Sequence, residues 1–336
     1  MFSKLILIVV GLFFLLFSFS AQAQEDEDEP IVLLSDTPII ETGSPGSFNA
    51  GFNEPGAMIY HDGQFHMFLT GYGGFPRPNG IAYLVSDDAI EWTNPLDDEL
   101  ILTGEDVPNA RAVNAGSVLI EPDGTWVLYF GSYDTGSWFP AGQIWRATAS
   151  DPIGPWTVSD EPVLTTGEED GWEARTVFQP EVIQVEDGYI MYYAGAPSSF
   201  QMAIGMATSE DGVTWEKHGE PILTAEAGWE SRYVNRPRIL THGDDSWIML
   251  YGSNIPGPGV GMAVSEDGIN WERVGDEPFL PAELVPGMVV FSEYALAEAD
   301  GIYYIAVEAS DNNTVGPSEI YMLQVGFETL LAHAQS

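Results

Sequence analysis

Apolar and polar residues alternate along this chain in short runs, and the runs recur in a fixed order. Five times an acidic turn leads into an aromatic, β-branched stretch. Asp62-Gly63 precedes Gln64-Phe65-His66-Met67-Phe68, and Asp123-Gly124 precedes Thr125-Trp126-Val127-Leu128-Tyr129. Asp187-Gly188 precedes Tyr189-Ile190-Met191-Tyr192-Tyr193, Asp244-Asp245 precedes Ser246-Trp247-Ile248-Met249-Leu250-Tyr251, and Asp300-Gly301 precedes Ile302-Tyr303-Tyr304-Ile305. Such turns beside such stretches predict β-hairpins. A second phrase keeps step with the first: Ser209-Glu210-Asp211-Gly212-Val213-Thr214-Trp215 and Ser265-Glu266-Asp267-Gly268-Ile269-Asn270-Trp271. Looser copies run from Ser86 to Trp92 and from Ser150 to Trp156, so the four tryptophans lie 64, 59 and 56 residues apart. A period of this size means stacked copies of one supersecondary unit. Each unit reads strand, tight turn, strand, Gly/Pro-rich loop, strand, tight turn, strand, with almost no helical periodicity.

A four-stranded antiparallel meander repeated radially is a propeller blade. The expectation is therefore an all-β, five-bladed β-propeller over residues 31–327, followed by a C-terminal tail at 328–336. The fifth copy, Ser318 to Phe327, lacks a last strand. Three complete copies end in Pro162-Val163-Leu164, Pro221-Ile222-Leu223 and Pro278-Phe279-Leu280, and Pro38-Ile39-Ile40 is an orphan of that ending. Ile31 to Ile40 is expected to supply the missing outer strand, which removes an exposed sheet edge. The repeated Asp and Trp are read as structural, the carboxylate capping turn amides and the indole packing between blades.

The ends and the charge narrow the setting. Lys4, the apolar run from Leu5 to Phe19 and Ala21-Gln22-Ala23 read as a secretory signal peptide over residues 1–23. Residues 24–30 form an acidic linker. The mature chain is expected to be secreted, extracellular or periplasmic, monomeric and without a membrane anchor. It has no cysteine, hence no disulfide or thiol chemistry. The formal net charge of −41 makes nucleic acid and anionic membranes poor partners.

The opposite face from the tight turns carries the departures from repetition. The first strands of the five units open with Phe52-Asn53-Glu54-Pro55, Val113-Asn114-Ala115-Gly116, Val177-Phe178-Gln179-Pro180, Val234-Asn235-Arg236-Pro237 and Val290-Phe291-Ser292-Glu293. Alignment on the turns places Glu54, Ala115, Gln179, Arg236 and Ser292 at one level near the axis, with Glu181 and Arg238 two residues further on the same face. Five of the eight arginines cluster here: Arg111, Arg175, Arg232, Arg236 and Arg238. In a cation-poor chain such planar donors suit carboxylate, phosphate or sugar hydroxyls. For Arg175 and Arg232 the repeated phrase Gly-Trp-Glu-x-Arg equally allows inherited ion pairs with Glu173 and Glu230. Loop residues Tyr72, Phe75, Arg77, Tyr133, Asp134, Trp138, Phe139, Phe200, Asn254 and Asp311-Asn312-Asn313 would line a funnel suited to sugars.

The opening Phe52-Asn53-Glu54-Pro55-Gly56, the Ser-x-Asp-Gly-x-x-Trp phrase and the Pro-x-Leu ending resemble the five-bladed propeller glycosidase superfamily: arabinanases, β-xylosidases, β-fructosidases, and mannoside phosphorylases and mannosidases. In the arabinanase and fructosidase branches the resemblance implies three carboxylates. The matching positions here hold Glu54, Gln179 and Asn235, and two amides cannot transfer protons. The phosphorylase branch implies an anion-binding cluster, and Arg111, Arg175 and Arg232 are weakly similar to the arginine triad of sialidases. Fold-level likeness does not fix function.

Two readings follow. The first is an exported glycoside hydrolase acting on an oligosaccharide, an anionic one included. Glu54 would be base or nucleophile and Glu181 the acid, with Glu230 or Glu173 as substitutes. The binding residues would be Arg111, Asn114, Arg175, Gln179, Arg232, Asn235, Arg236, Trp138 and Tyr72. The second is a glycan-binding propeller without catalysis. No metal motif of recognised spacing is present. No cofactor is expected, with room left for a structural calcium near the axis or on Asp311-Asn312-Asn313.

Overall fold

The structure is a computed structural model. It describes residues 31–73, 79–134, 141–197, 201–226, 228–230, 232–242, 246–253, 257–311 and 318–335. The proposed signal peptide and linker, and Phe75, Arg77, Trp138, Phe139, Phe200, Asn254, Asn312 and Asn313, lie outside the described residues.

Strand β1 (Val32–Leu33) is followed by five antiparallel meanders. The first contains β2 (Phe52–His61), β3 (Gln64–Tyr72), β4 (Asn79–Ser86) and β5 (Leu102–Thr103). The second contains β6 (Ala112–Ile120), β7 (Trp126–Tyr133), β8 (Gly142–Ala149) and β9 (Thr157–Val158). The third runs through β10 (Thr176–Val185), β11 (Gly188–Ala196) and β12 (Ala203–Ser209), and its outer strand is split into β13 (Glu216–Lys217) and β14 (Leu223–Thr224). The fourth repeats that plan with β15 (Val234–His242), β16 (Ser246–Ser253), β17 (Gly259–Ser265), β18 (Glu272–Arg273) and β19 (Leu280–Pro281). The fifth has β20 (Val290–Ala299), β21 (Ile302–Ser310) and β22 (Glu319–Gly326). Its outer strand is β1, with Val32 opposite Gln324 and Leu33 opposite Leu323, and Ile40 bridges Ile320 further along.

The first strands of the meanders neighbour one another in a ring: β2 beside β6, β6 beside β10, β10 beside β15, β15 beside β20, and β20 beside β2. The apolar cores lie between consecutive meanders. One joins Phe68 and Tyr83 to Leu128 and Trp145, and another joins Met67 and Leu69 of the first meander to Ala295, Ala306 and Met322 of the last. The strands form because apolar side chains on each face have a neighbouring meander to pack against, and burial of this kind is the main driving force for folding.

The turns carry out the structural roles expected of them. Asp62-Gly63 and Asp300-Gly301 all take positive φ, as a two-residue hairpin requires. Asp211 Oδ1 accepts the amides of Val213 and Thr214 at 2.8 and 2.7 Å, and Asp267 Oδ1 those of Ile269 and Asn270 at 2.9 and 2.8 Å. The tryptophan after the second, third and fourth of these turns stands edge-on to an aromatic ring of the preceding meander. Trp156 meets Phe68, Trp215 meets Tyr129 and Trp271 meets Tyr192, at 5.7, 6.0 and 5.9 Å between centroids. One expectation is corrected: the segment taken as a tail holds helix α1 (Phe327–Ala334), which packs on β17 and β22. Its Leu330 and Leu331 join the core of the last two meanders, so two consecutive leucines in a short segment concealed the helix from a reading based on longer periodicity.

Candidate active site

Each first strand of a meander carries a β-bulge near its start. The ladder slips between Pro55 and Ala57, Ala115 and Ser117, Phe178 and Glu181, Asn235 and Arg238, and Phe291 and Tyr294. Bulges re-aim side chains. In the first two strands the extra residue is Gly56 or Gly116, and a Cβ there would lie 2.4 Å from Ala115 Cβ or 2.5 Å from Pro180 Cδ. In the next two the chain places Gln179 and Arg236 at φ 51° and 50°. The left-handed region costs a non-glycine residue ~1–2 kcal/mol, and such strain persists where the surroundings over-determine it, often at functional sites.

The bulges bring four charged groups together. Asn114 Nδ2 donates to Glu54 Oε2 at 2.6 Å. Gln179 Nε2 donates to Glu293 Oε1 at 3.1 Å, while Glu293 Oε2 pairs with Arg236 Nε. Arg236, 2% exposed, also donates from Nη1 to Asn235 Oδ1 at 3.1 Å. Glu308 on β21 completes the group: the Arg236 guanidinium feels the charges of Glu293, Glu308 and Glu54. Burial, reinforced by the Glu293 charge, pushes the Glu54 carboxyl up to about 8 against the pull of Arg236 and Asn114. Burial and the charge of Glu54 hold Glu308 well above the usual carboxylate range. Tyr72 stacks on Phe52 at 4.7 Å, and burial followed by the Glu54 charge raises its phenol.

A second polar layer lies two residues deeper. Arg238 Nη2 donates to Gly56 O at 2.6 Å and Nη1 to Pro237 O at 3.1 Å, and Nη1 faces Glu181 Oε2 at 3.4 Å. Burial raises Glu181 to about 7, with Arg238 opposing. Beyond this pair, away from the mouth, is a cavity of about 230 Å³ whose lining includes Met58, Leu119, Ile183 and Leu296.

The expected site residues divide sharply. Glu54, Asn114, Gln179, Asn235 and Arg236 converge as above, and Tyr72 stands beside Glu54. Glu181 sits in the deeper layer with Arg238. Glu230 does not join them. It accepts from Arg273 Nε at 2.7 Å, Tyr251 OH at 2.7 Å and the Glu226 amide at 2.8 Å. Glu173 repeats that arrangement with Lys217 at 2.5 Å and Tyr193 OH at 2.7 Å. The inherited pairs thus run to Arg273 and Lys217. Arg111, Arg175 and Arg232 are exposed, and Arg175 and Arg232 are already engaged with neighbours. Trp138 lies outside the described residues.

Alignment on the turns finds the central residue in three strands, at Glu54, Gln179 and Arg236, and misses it by one residue in the second and fifth. Glu293, rather than Ser292, meets Arg236, and Asn114, rather than Ala115, meets Glu54, because each bulge shifts which side chain faces the axis. Glu293 and Glu308 were absent from the sequence-based set. The available signals were a lone acid in the Pro/Gly column that follows Glu54, and a lone acid inside the apolar run Ile305–Ala309. Among the described residues no group of three His, Asp or Glu is arranged to hold a metal ion, and no helix is long and apolar enough to cross a membrane.

The family model for the glycosyl hydrolases family 32 N-terminal domain matches residues 49–230. The chain belongs to this family, within the five-bladed propeller glycosidases. A model described as beta-1,4-mannooligosaccharide phosphorylase matches residues 156–314. The beta-1,2-mannobiose phosphorylase of Thermoanaerobacter sp. (strain X514) is 30% identical over 148 residues, 38% of this chain and 49% of that protein. The 1,2-beta-oligomannan phosphorylase of the same organism is 29% identical over 143 residues, 38% of this chain and 48% of that protein. The chain thus spans about half the length of these two relatives. Among solved structures, Zg3597, a family 117 glycoside hydrolase of Zobellia galactanivorans, superposes with a TM-score of 0.67 at 17% identity, covering 87% of this chain and 89% of that one. A thermostable family-43 glycoside hydrolase gives 0.64 at 14% identity, covering 84% and 91%. The Bombyx mori GH32 beta-fructofuranosidase BmSUC1 gives 0.63 at 15% identity, covering 85% and 61%. At such identities these structures establish the fold alone.

Proposed function

We propose that the protein is an exported glycoside hydrolase working at the axial mouth of a closed five-bladed propeller, with Glu54 as proton donor and Glu293 as its carboxylate partner. One observation carries this reading: Glu54, pushed up to about 8, adjoins a carboxylate already ion-paired with Arg236. Neighbouring carboxyls whose environments push them apart are how glycosidases divide acid and base work. The role given to Glu54 therefore changes from base or nucleophile to acid. Glu293, tethered by Arg236 and Gln179, acts at the anomeric carbon directly or through a water. Asn114 orients the donor, and Phe52 and Tyr72 offer a ring face to a sugar.

Water, rather than phosphate, suits this centre as acceptor. The cations at the axis are both committed, Arg236 to Glu293 and Arg238 to Glu181, and a phosphate would meet the carboxyls of Glu54, Glu293 and Glu308. The mannoside phosphorylase likeness places β-mannooligosaccharides first in a substrate panel, followed by other neutral and uronic oligosaccharides. Product release should be the same with and without inorganic phosphate and should vanish in Glu54→Gln with circular dichroism unchanged. Release that requires phosphate, or survives Glu54→Gln, overturns the assignment.

The amides at Gln179 and Asn235 favour a second reading, a propeller kept for glycan binding. Saturable binding across the panel without release in the wild type would select it.

A further inference from the structure

Glu308 has no assigned role, and its position is unusual. It lies on β21 opposite the two-residue bulge at Ser292 and Glu293, where the ladder passes from Phe291–Ala309 to Tyr294–Val307. The corresponding positions facing the third and fourth bulges hold Tyr193 and Tyr251. Those hydroxyls serve the repeated Glu173 and Glu230 pairs. In the last meander the position carries a carboxyl that is 7% exposed. Among the described residues no ion pair includes it. The start of β2 reaches the same place, since Asn53 Nδ2 donates to Ser318 O at 3.4 Å, and Ser318 lies just before Ile320, the ladder partner of Glu308.

Charge counting then restricts the cluster. Three carboxyl groups surround one guanidinium in a largely buried space, and that guanidinium is matched by Glu293. A further buried negative charge without a partner is expensive and is avoided by taking up a proton. We propose that Glu308 is a neutral carboxylic acid that positions and stabilises Glu54 by donating to the carboxylate Glu54 becomes during the reaction. The charge of Glu54 acts on Glu308 more strongly than that of Glu293, and a hydrogen bond from Ser318 opposes both.

The proposal rests on the hydrolase reading for its catalytic meaning. In that reaction Glu54 gives its proton to the glycosidic oxygen as the C–O bond breaks, and the bond's electron pair leaves with the alcohol. The oxygen of water bonds the anomeric carbon, and the water proton passes to Glu293. That proton returns to Glu54 before the next turnover. In the interval Glu54 is a carboxylate in a site with no spare cation, and a preorganised neutral donor beside it lowers the barrier to forming it.

Glu308→Gln and Glu308→Met separate the possibilities. The amide keeps a neutral donor, so the basic limb of the kcat/KM profile should stay where the wild type has it. The thioether removes the donor, so that limb should move to higher pH and kcat should fall. Both limbs moving to lower pH would mean that Glu308 is ionised and repels Glu54. Neither limb moving would mean that the two are not linked. Either result overturns the proposal. Infrared difference spectra of wild type against Glu308→Gln need neither turnover nor the Met variant. Loss of one protonated-carboxyl carbonyl band at pH 7 is expected, and no loss overturns the proposal. If the band is lost in a protein that releases no sugar, the hydrolase reading fails while the neutral acid stands.

Discussion

Raising the pH above 5 should destabilise this fold, and the slope can be worked from three side chains. Burial holds Glu54 at about 8, Glu181 at about 7 and Glu308 well above the usual carboxylate range. In the unfolded chain all three return to an ordinary value near 4.5. Between pH 5.5 and 6.5, roughly, the folded state therefore binds protons that the unfolded state has released. Stability changes by about 1.4 kcal/mol per pH unit for each such proton, so three groups set an upper bound of about 4 kcal/mol per unit. The sign is fixed: these contributions are fully present below the unfolded value and are lost as pH rises through the folded ones. The capped turns pull the other way, since backbone amides hold Asp211 down to about 2 and depress Asp88 and Asp267. Their effect is confined to more acidic solutions, so above pH 5 the main opposition to the glutamates is His66, whose ring burial depresses below its ordinary 6.5 and which adds stability as pH rises through that value.

The assay is urea unfolding of the mature protein at constant ionic strength, followed by tryptophan fluorescence, at steps from pH 5 to 8. Glu181→Gln cannot ionise in either state, so its slope should be shallower than wild type by up to about 1.4 kcal/mol per pH unit. Comparing the two also removes the background from general repulsion in so acidic a chain. Stability that is flat or rising between pH 5.5 and 7, or a Glu181→Gln slope equal to wild type, would refute the reasoning.

Two further outcomes test the structural assignments. Arg273→Met should cost about 3 kcal/mol by stranding the buried Glu230 carboxylate, yet leave sugar release intact; lost release in a folded variant would return Glu230 to the catalytic set. Gly212→Ala should cost ~1–2 kcal/mol, because Gly212 has φ 68° and a Cβ there would lie 2.7 Å from the Tyr129 hydroxyl, which donates to Gly212 O. An unchanged urea midpoint would contradict that packing.

The repeat was legible because each meander must solve the same problem with the same residues. Acidic-Gly turns, edge-on tryptophans and Pro-x-Leu endings are local, so their spacing revealed the five meanders and the N-terminal strand that joins the last. The centre was legible only in part. Glu54, Asn114, Gln179, Asn235 and Arg236 follow from reading the starts of the inner strands, but the pairing among them depends on bulges of one or two residues. A one-residue slip exchanges the two faces of a strand, which is why Ser292 stood in for Glu293. Glu308 was hidden for another reason: it comes from a second strand, at a position whose counterparts in the third and fourth meanders are structural tyrosines.

Repetition itself separates scaffold from site. The Glu173–Lys217–Tyr193 and Glu230–Arg273–Tyr251 clusters occur in equivalent places, so their charges are accounted for by the packing that every copy of the unit needs. The Glu54–Glu293–Glu308–Arg236 cluster has no second copy. It draws on the first, fourth and fifth meanders, requires Arg236 to occupy a strained conformation, and gathers more carboxyls than cations in a low-dielectric space. Each of those features costs stability. A duplicated fold that could have kept the repeated solution at these positions, yet carries the costlier one at its axis, is what the proposed catalytic role of that cluster requires. Violations of local rules concentrate at functional sites for this reason.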